Sequence, residues 1–230
     1  MINLAIIPAR SGSKGLKDKN IKKINNKTLI EIAYEIAEKS GIFSHIIVST
    51  DSLKYKEILE KKKIFIHSLR SKKFAKDNTS DLELLTYEIK KFEKTIKKKV
   101  NYVALLQPTS PVRDKWNLIK CYELIKNKKL DAVWTISKIN RKFNPIKILK
   151  TKNNKLIYFS PKGPQFNSRQ KLDDYYIRNG LAYFFSRNSI IKYKKILPKK
   201  SSYFEIKKEI SNIDNLDDFK KAKKLLKGKI

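Results

Sequence analysis

The sequence predicts an α/β protein with a mostly parallel central sheet, on three observations. Short apolar runs alternate with amphipathic stretches through the first 140 residues. Such alternation implies parallel strands with helices on both faces. Polar motifs follow these runs at 8–20, 49–52 and 107–113, at the strand ends where ligands bind in sheets of this kind. At 230 residues the chain suits one large domain, 1–230, with a small excursion.

Asn3-Leu4-Ala5-Ile6-Ile7 reads as a strand buried on both faces. Thr28-Leu29-Ile30-Glu31 is a capping box that opens a helix ended by Gly41. His45 to Ser49 is a second strand, followed by a short lysine-rich helix and a strand at Ile64-Phe65-Ile66. Ser80-Asp81-Leu82-Glu83 caps a helix whose Leu82, Leu85, Ile89, Phe92 and Ile96 step by three and four. Tyr102 to Leu106 is a fourth strand, and a helix over about 115–126 leads to a strand at 131–136. Between about 140 and 178 the rhythm breaks. There, 146–149 and 156–159 flank a Lys152-Asn153-Asn154 turn, the pattern of a β-hairpin. Leu181 to Phe185 returns to the sheet, and 216–226 is an amphipathic helix.

The first strand runs into Pro8-Ala9-Arg10-Ser11-Gly12-Ser13-Lys14-Gly15, which holds two of only six glycines. Backbone N–H groups, hydroxyls and cations at a strand's carboxyl end make a phosphate cradle. The spacing fits neither a Walker loop nor a Gly-x-Gly-x-x-Gly turn.

Lys plus Arg number 54 against 22 Asp plus Glu, a net charge of +32. One reading is nucleic-acid binding. The other is bland: the chain is rich in Lys, Ile and Asn, which share AT-rich codons, and its lysine runs are solvated faces. Only seven of the cations are arginine: Arg10, Arg70, Arg113, Arg141, Arg169, Arg178 and Arg187. If lysine replaced arginine wherever either would serve, the survivors mark sites that need a planar fork. Several sit in the polar motifs, which points to an anionic small molecule; structural ion pairs are the alternative. No apolar run approaches a membrane span, and the amino terminus does not read as a signal peptide. One cysteine and two distant histidines give no disulfide and no zinc site. A cytoplasmic protein without membrane or nucleic-acid partners is expected.

Taken together, the loop at 8–15 with Lys19-Asn20-Ile21, then Ser49-Thr50-Asp51, then Leu106-Gln107-Pro108-Thr109-Ser110-Pro111 with Arg113, then Arg169-Gln170 and Arg178-Asn179-Gly180 resemble the acylneuraminate cytidylyltransferases. The resemblance covers nearly the whole chain. It implies a Rossmann-like sheet of the nucleotide-diphospho-sugar transferase type, with the hairpin excursion serving a homodimer. It also implies transfer of CMP from CTP to the anomeric hydroxyl of an acidic nine-carbon 2-keto acid sugar. By resemblance, Arg10, Gly12, Ser13, Lys19, Asn20, Arg70 and Ser80 bind the nucleotide, with Arg10, Lys19 and Asp214 catalytic. Asn20 as a turn cap and Ser80 as a helix cap are the alternatives. Gln107, Thr109, Ser110, Lys147, Arg169, Gln170 and Asn179 are implied for the sugar, Arg169 taking its carboxylate. Magnesium is implied at Asp214 and Asn212. Here the chain departs from the family's Asp-x-Asp, since Asn212-Ile213-Asp214 offers one carboxylate. Leu181 replaces a small residue and is expected to crowd the sugar pocket. Two other readings stand beside this one: a nucleotidyltransferase for another acidic sugar acceptor, and a basic nucleic-acid-binding protein on a nucleotide fold.

Overall fold

The computed structural model describes residues 1–13, 15–64, 66–165 and 173–227. The chain enters through β1 (Asn3–Pro8), whose alternate residues face opposite layers. Ala5 and Ile7 join one core with Ala33, Leu118 and Cys121. Leu4 and Ile6 join the other with Leu85, Ile89 and Phe92. That division explains a continuously apolar strand. A two-strand ribbon, β2 (Lys23–Ile24) and β3 (Lys27–Thr28), turns at Asn25 and Asn26, with φ of 49° and 65°; asparagine tolerates this left-handed conformation.

Helix α1 (Leu29–Ser40) begins with the expected capping box, Thr28 accepting from the Glu31 N–H, and ends at Gly41 with φ 66°. Next come β4 (His45–Ser49), α2 (Leu53–Glu60), α3 (Asp81–Ile96), β5 (Tyr102–Leu105), α4 (Lys115–Asn127) and β6 (Ala132–Lys138). The excursion is a hairpin of β7 (Leu149–Lys152) and β8 (Lys155–Tyr158) that, among the described residues, pairs only with itself. Its turn is Asn153-Asn154, and the Pro145–Lys147 stretch before it is a 3-10 turn rather than strand. Then β9 (Tyr176–Ser186), α5 (Arg187–Ile191), β10 (Ser201–Glu205) and α6 (Leu216–Leu225) complete the chain.

The main sheet has the order β10-β6-β9-β5-β1-β4. Only β9 runs antiparallel, inserted between β5 and β6. Of the expected strand at 64–66, Phe65 lies outside the described residues, and neither Ile64 nor Ile66 is in this sheet, whose edge is β4. The Ile64 N–H instead closes the end of α2 by bonding the Leu59 carbonyl, after Lys63 turns with φ 58°. Ile64 and Ile66 are buried, pinning a loop against Tyr55 and Leu59. Burial made them apolar without making them a strand. Burial also pushes the Cys121 thiol up to about 12, leaving it an inert core residue.

Thr28→Ala removes the α1 cap and should lower stability by about 1 kcal/mol, within the usual range for lost caps. Urea unfolding with an unchanged slope would check it.

Candidate active site

The carboxyl ends of β1 and β5, the segment from Arg70 into α3, and the segment before α6 surround one cavity of about 580 Å³. Its first wall is the loop after β1. Asp51, at the end of β4, accepts from the Ser11 N–H at 2.9 Å and the Ser11 hydroxyl at 3.0 Å. The Ser-Thr-Asp motif therefore anchors the loop backbone. Asn20 is buried and donates to the Arg10 carbonyl at 3.0 Å, while its Oδ1 has no partner among the described residues. Arg10 projects into the cavity and pairs with Asp77 at 2.5 Å. Ser13 also lines it. Gly15 is demanded by close approach, since a Cβ there would collide with the Asp214 carbonyl. A Cβ at Gly12 would meet only the Arg10 guanidinium, at an ordinary contact distance of 3.9 Å, and its carbonyl accepts from Arg10 at 3.2 Å.

Lys19 and the segment before α6 meet on the second wall. Its Nζ donates to the Ile213 carbonyl at 3.0 Å and to the exposed Asp214 carboxylate at 3.1 Å. Asn212 and Asp214 both line the cavity. Asp218 does not; it accepts from the N–H groups of Asp214 and Asn215 at 3.0 and 3.1 Å. It is the capping acid of α6 and fixes the turn that presents Asp214.

Arg70 is buried on the third wall, with Nη2 on the Ser49 carbonyl at 2.8 Å and Nη1 on the Phe74 carbonyl at 3.3 Å. Burial pushes its pKa down, opposed mainly by the nearby Glu88 carboxylate. Thr79 and Asp81 line the cavity beyond it. Ser80 is a helix cap: its hydroxyl accepts from the Glu83 N–H and donates to the Glu83 carboxylate. Its neighbour Thr79, not Ser80, lines the cavity.

On the fourth wall, Gln107 and Thr109 line the cavity, whereas Ser110 and Asn179 lie buried behind it. Between the pairs Trp134 with Tyr183 and Ile136 with Arg178, the β6–β9 register slips, so Thr135 faces a bulge at 179–182. Side chains satisfy its backbone. Ser110 donates to the Asn179 carbonyl at 3.0 Å, and the Gly180 N–H donates to the Tyr183 hydroxyl at 2.6 Å. The Leu181 N–H donates to Asn179 Oδ1 at 3.2 Å. Arg113 spans the remaining carbonyls: Nε to Leu181, and Nη2 to Gln107 at 2.8 Å and Gly180 at 3.3 Å. Arg113 is thus a bracket for backbone rather than an anion receptor. Leu181 is fully buried and does not line the cavity, so it does not crowd it. The bulge leaves Arg178 and Tyr183 on the cavity wall. A bulge that re-aims side chains beside a site is a recurrent device.

Lys147 sits in the 3-10 turn before the hairpin and is not on the cavity. Arg169 and Gln170 lie outside the described residues. Sequence reasoning gave no site role to Asp77, Asp81 or Tyr183. Their only signals were position, beside Arg70 for the first two and beside the Asn-Gly pair for the third.

A doubly wound sheet with a phosphate-type loop at β1 and polar walls at the neighbouring strand ends defines a nucleotide-binding transferase architecture. The cytidylyltransferase family model matches residues 4–229. The chain belongs to the cytidylyltransferase family. It is 32% identical over 223 residues to the N-acylneuraminate cytidylyltransferase of Escherichia coli, covering 95% of this chain and 51% of that protein. To the CMP-N,N'-diacetyllegionaminic acid synthase of Campylobacter jejuni it is 28% identical over 220 residues, covering 94% of this chain and 92% of that one. The chain therefore spans about half the former relative and nearly all of the latter. Among solved structures, CMP:2-keto-3-deoxy-manno-octonic acid synthetase complexed with CTP shares the fold with a TM-score of 0.74, at 17% identity and full coverage of both chains.

Gly180 has φ 73°, and a Cβ there would collide with the Ser110 hydroxyl and the Gln107 amide oxygen. Gly180→Ala should therefore displace Gln107 from the cavity wall, lowering kcat/KM by at least about tenfold, a loss of about 1.4 kcal/mol or more. Steady-state kinetics on folded variant would check it.

Proposed function

We propose that this chain transfers CMP from CTP to the anomeric hydroxyl of a nine-carbon 2-keto acid sugar, releasing pyrophosphate. The observation that carries the reading is convergence: the β1 loop, the Lys19–Asp214 pair and the Gln107 wall, far apart in sequence, line one cavity. The reaction needs little covalent help, so positioning and charge neutralisation dominate. Arg10, Ser13 and Lys19 hold the triphosphate. Asn20 offers its unpartnered Oδ1 to a ribose hydroxyl. Arg70 and Thr79 bound the base, and Gln107 and Thr109 contact the sugar, with Ser110 and Asn179 acting from behind the wall.

The donors at Asn212 and Asp214 fit magnesium in a limited way. Asp214 and Asn212 line the cavity, the carboxylate already shared by Lys19 and the amide oxygen already accepting from the Ser110 hydroxyl. Among the described residues no three His, Cys, Asp or Glu gather into a metal cage. Magnesium tolerates such a site because substrate phosphates and water complete its shell. Asp214, aided by Asn212, would hold it, and the ion would neutralise charge on the reacting phosphates.

A homodimer belongs to the same reading. Leu149, Leu156, Ile157, Tyr158 and Phe159 are exposed on and beside the hairpin, a concentration of apolar surface that marks an interaction face. A partner there would also approach Lys147, which the single chain leaves off the cavity. Among the described residues no helix is long and apolar enough to cross a membrane. A CTP-consuming reaction suits the cytoplasm.

The test of the function is pyrophosphate release from CTP, against ATP and GTP, with a panel of nine-carbon 2-keto acids. Absence of release with every acid would overturn it. Arg10→Lys should lose most of this activity, because a point charge cannot reproduce the guanidinium fork; an unimpaired variant would remove Arg10 from the site. Asn212→Asp should lower the magnesium concentration for half-maximal rate, since a second carboxylate would face the dication. An unchanged magnesium titration would show that Asn212 does not take part.

A further inference from the structure

Arg178 and Asp81 meet on the cavity wall from different elements, the strand β9 and the first turn of α3. Their contact is loose, with Nη1 3.5 Å from Oδ2. The same chemistry closes tightly elsewhere: Arg187 grips Glu93 through two bonds of 2.6 and 2.9 Å. Among the described residues, no other hydrogen bond engages either the Arg178 guanidinium or the Asp81 carboxylate. Asp81 is largely desolvated, and burial raises its pKa against the pull of Arg178. A half-satisfied carboxylate at a cavity wall calls for a partner.

We propose that Arg178 and Asp81 together read an acylamino substituent on the sugar acceptor; this rests on the cytidylyltransferase reading above. The pair presents hydrogen-bond donors and an acceptor side by side. An amide matches it, its C=O taking the guanidinium N–H groups and its N–H donating to Asp81, each through a separate heavy atom. A second anion in this place would face the Asp81 charge as closely as it faces Arg178, which disfavours a carboxylate or phosphate there. A hydroxyl must share one oxygen between both partners. Leu84, one turn on from Asp81, and Tyr183 line the same cavity and give the acyl carbon an apolar seat. Arg178 is held on this wall by the bulge that Arg113 brackets, so the specificity pair and the backbone device form one unit.

The experiment measures kcat/KM on wild type, Arg178→Met, Arg178→Lys and Asp81→Asn. The acceptors are N-acetylneuraminic acid and N,N'-diacetyllegionaminic acid, each beside its analogue with hydroxyl in place of acylamino. Wild type should favour the acylamino member of a pair by about tenfold or more, as expected when a missing group strands buried polar partners. Arg178→Met and Asp81→Asn should each cut that preference to about threefold or less through the acceptor KM, with the CTP KM within about twofold. Arg178→Lys, which keeps the donor charge, should fall between. A wild type without the preference would overturn the proposal, as would variants that keep it or that lose CTP affinity in parallel. These results leave the transfer reaction standing; absence of pyrophosphate release from every acceptor would overturn the reaction and the proposal with it.

Discussion

The Gln107 wall of the cavity depends on a buried guanidinium that, among the described residues, meets carbonyls and no carboxylate. Arg113 is about 95% removed from solvent, and an isolated charge in such a place costs several kcal/mol. Carbonyl dipoles offset that cost. Gln107, Gly180 and Leu181 all direct their oxygens at it. Their convergence forces the other features of this wall: the bulge in β9, the positive φ at Gly180, and the contact of Ser110 with both the Asn179 carbonyl and Asn212 at 3.2 Å. Lysine could not do this, because three carbonyls from two segments need a planar set of donors. The wall behind Gln107 is therefore a stitched backbone, and the cavity residues in front of it inherit their positions.

Much of this was legible in the sequence for a physical reason. Buried parallel strands must be apolar on both faces, so β1, β4 and β5 are short uninterrupted apolar runs. Helix starts announce themselves through side chains that satisfy orphan N–H groups, and both capping boxes read from the sequence are formed. The scarcity of arginine was informative too. Arg10, Arg70 and Arg178 line the cavity and Arg113 supports it, whereas Arg187 and Arg141 pair with Glu93 and Asp174.

What was not legible turns on direction rather than composition. Ile64 and Ile66 are as apolar as strand residues, but a helix end consumes the Ile64 N–H. Asn179 reads as a ligand-facing polar residue, yet Thr135 and Ser137 hold its amide inside at 2.6 and 3.0 Å. Ser80 shows why a motif underdetermines a role: the same hydroxyl that could meet a nucleotide closes a helix. One residue earlier, Thr79 has no such duty and faces the cavity. The extra strand β10 carries half-exposed residues throughout, with Tyr203 exposed, and the amino-acid pattern alone gave no reason to place it beside β6.

The cavity also shows why a net charge of +32 says little about the ligand. Most lysines contribute to a surface potential that salt screens within about 10 Å. Among the described residues the balance inside the cavity is smaller: five cations, Arg10, Lys19, Arg70, Lys76 and Arg178, stand against three carboxylates, Asp77, Asp81 and Asp214. Each of Asp77, Asp81 and Asp214 contacts one of those cations. A polyphosphate that enters must therefore exchange with internal carboxylates instead of meeting bare charge. Binding strength then follows from the difference between two sets of ion pairs, and selectivity from the geometry that makes one set better. Here the geometry is set by hydrogen bonds to backbone, at Arg113, Asp51 and Asp218. The residues that touch no substrate decide how well the others do.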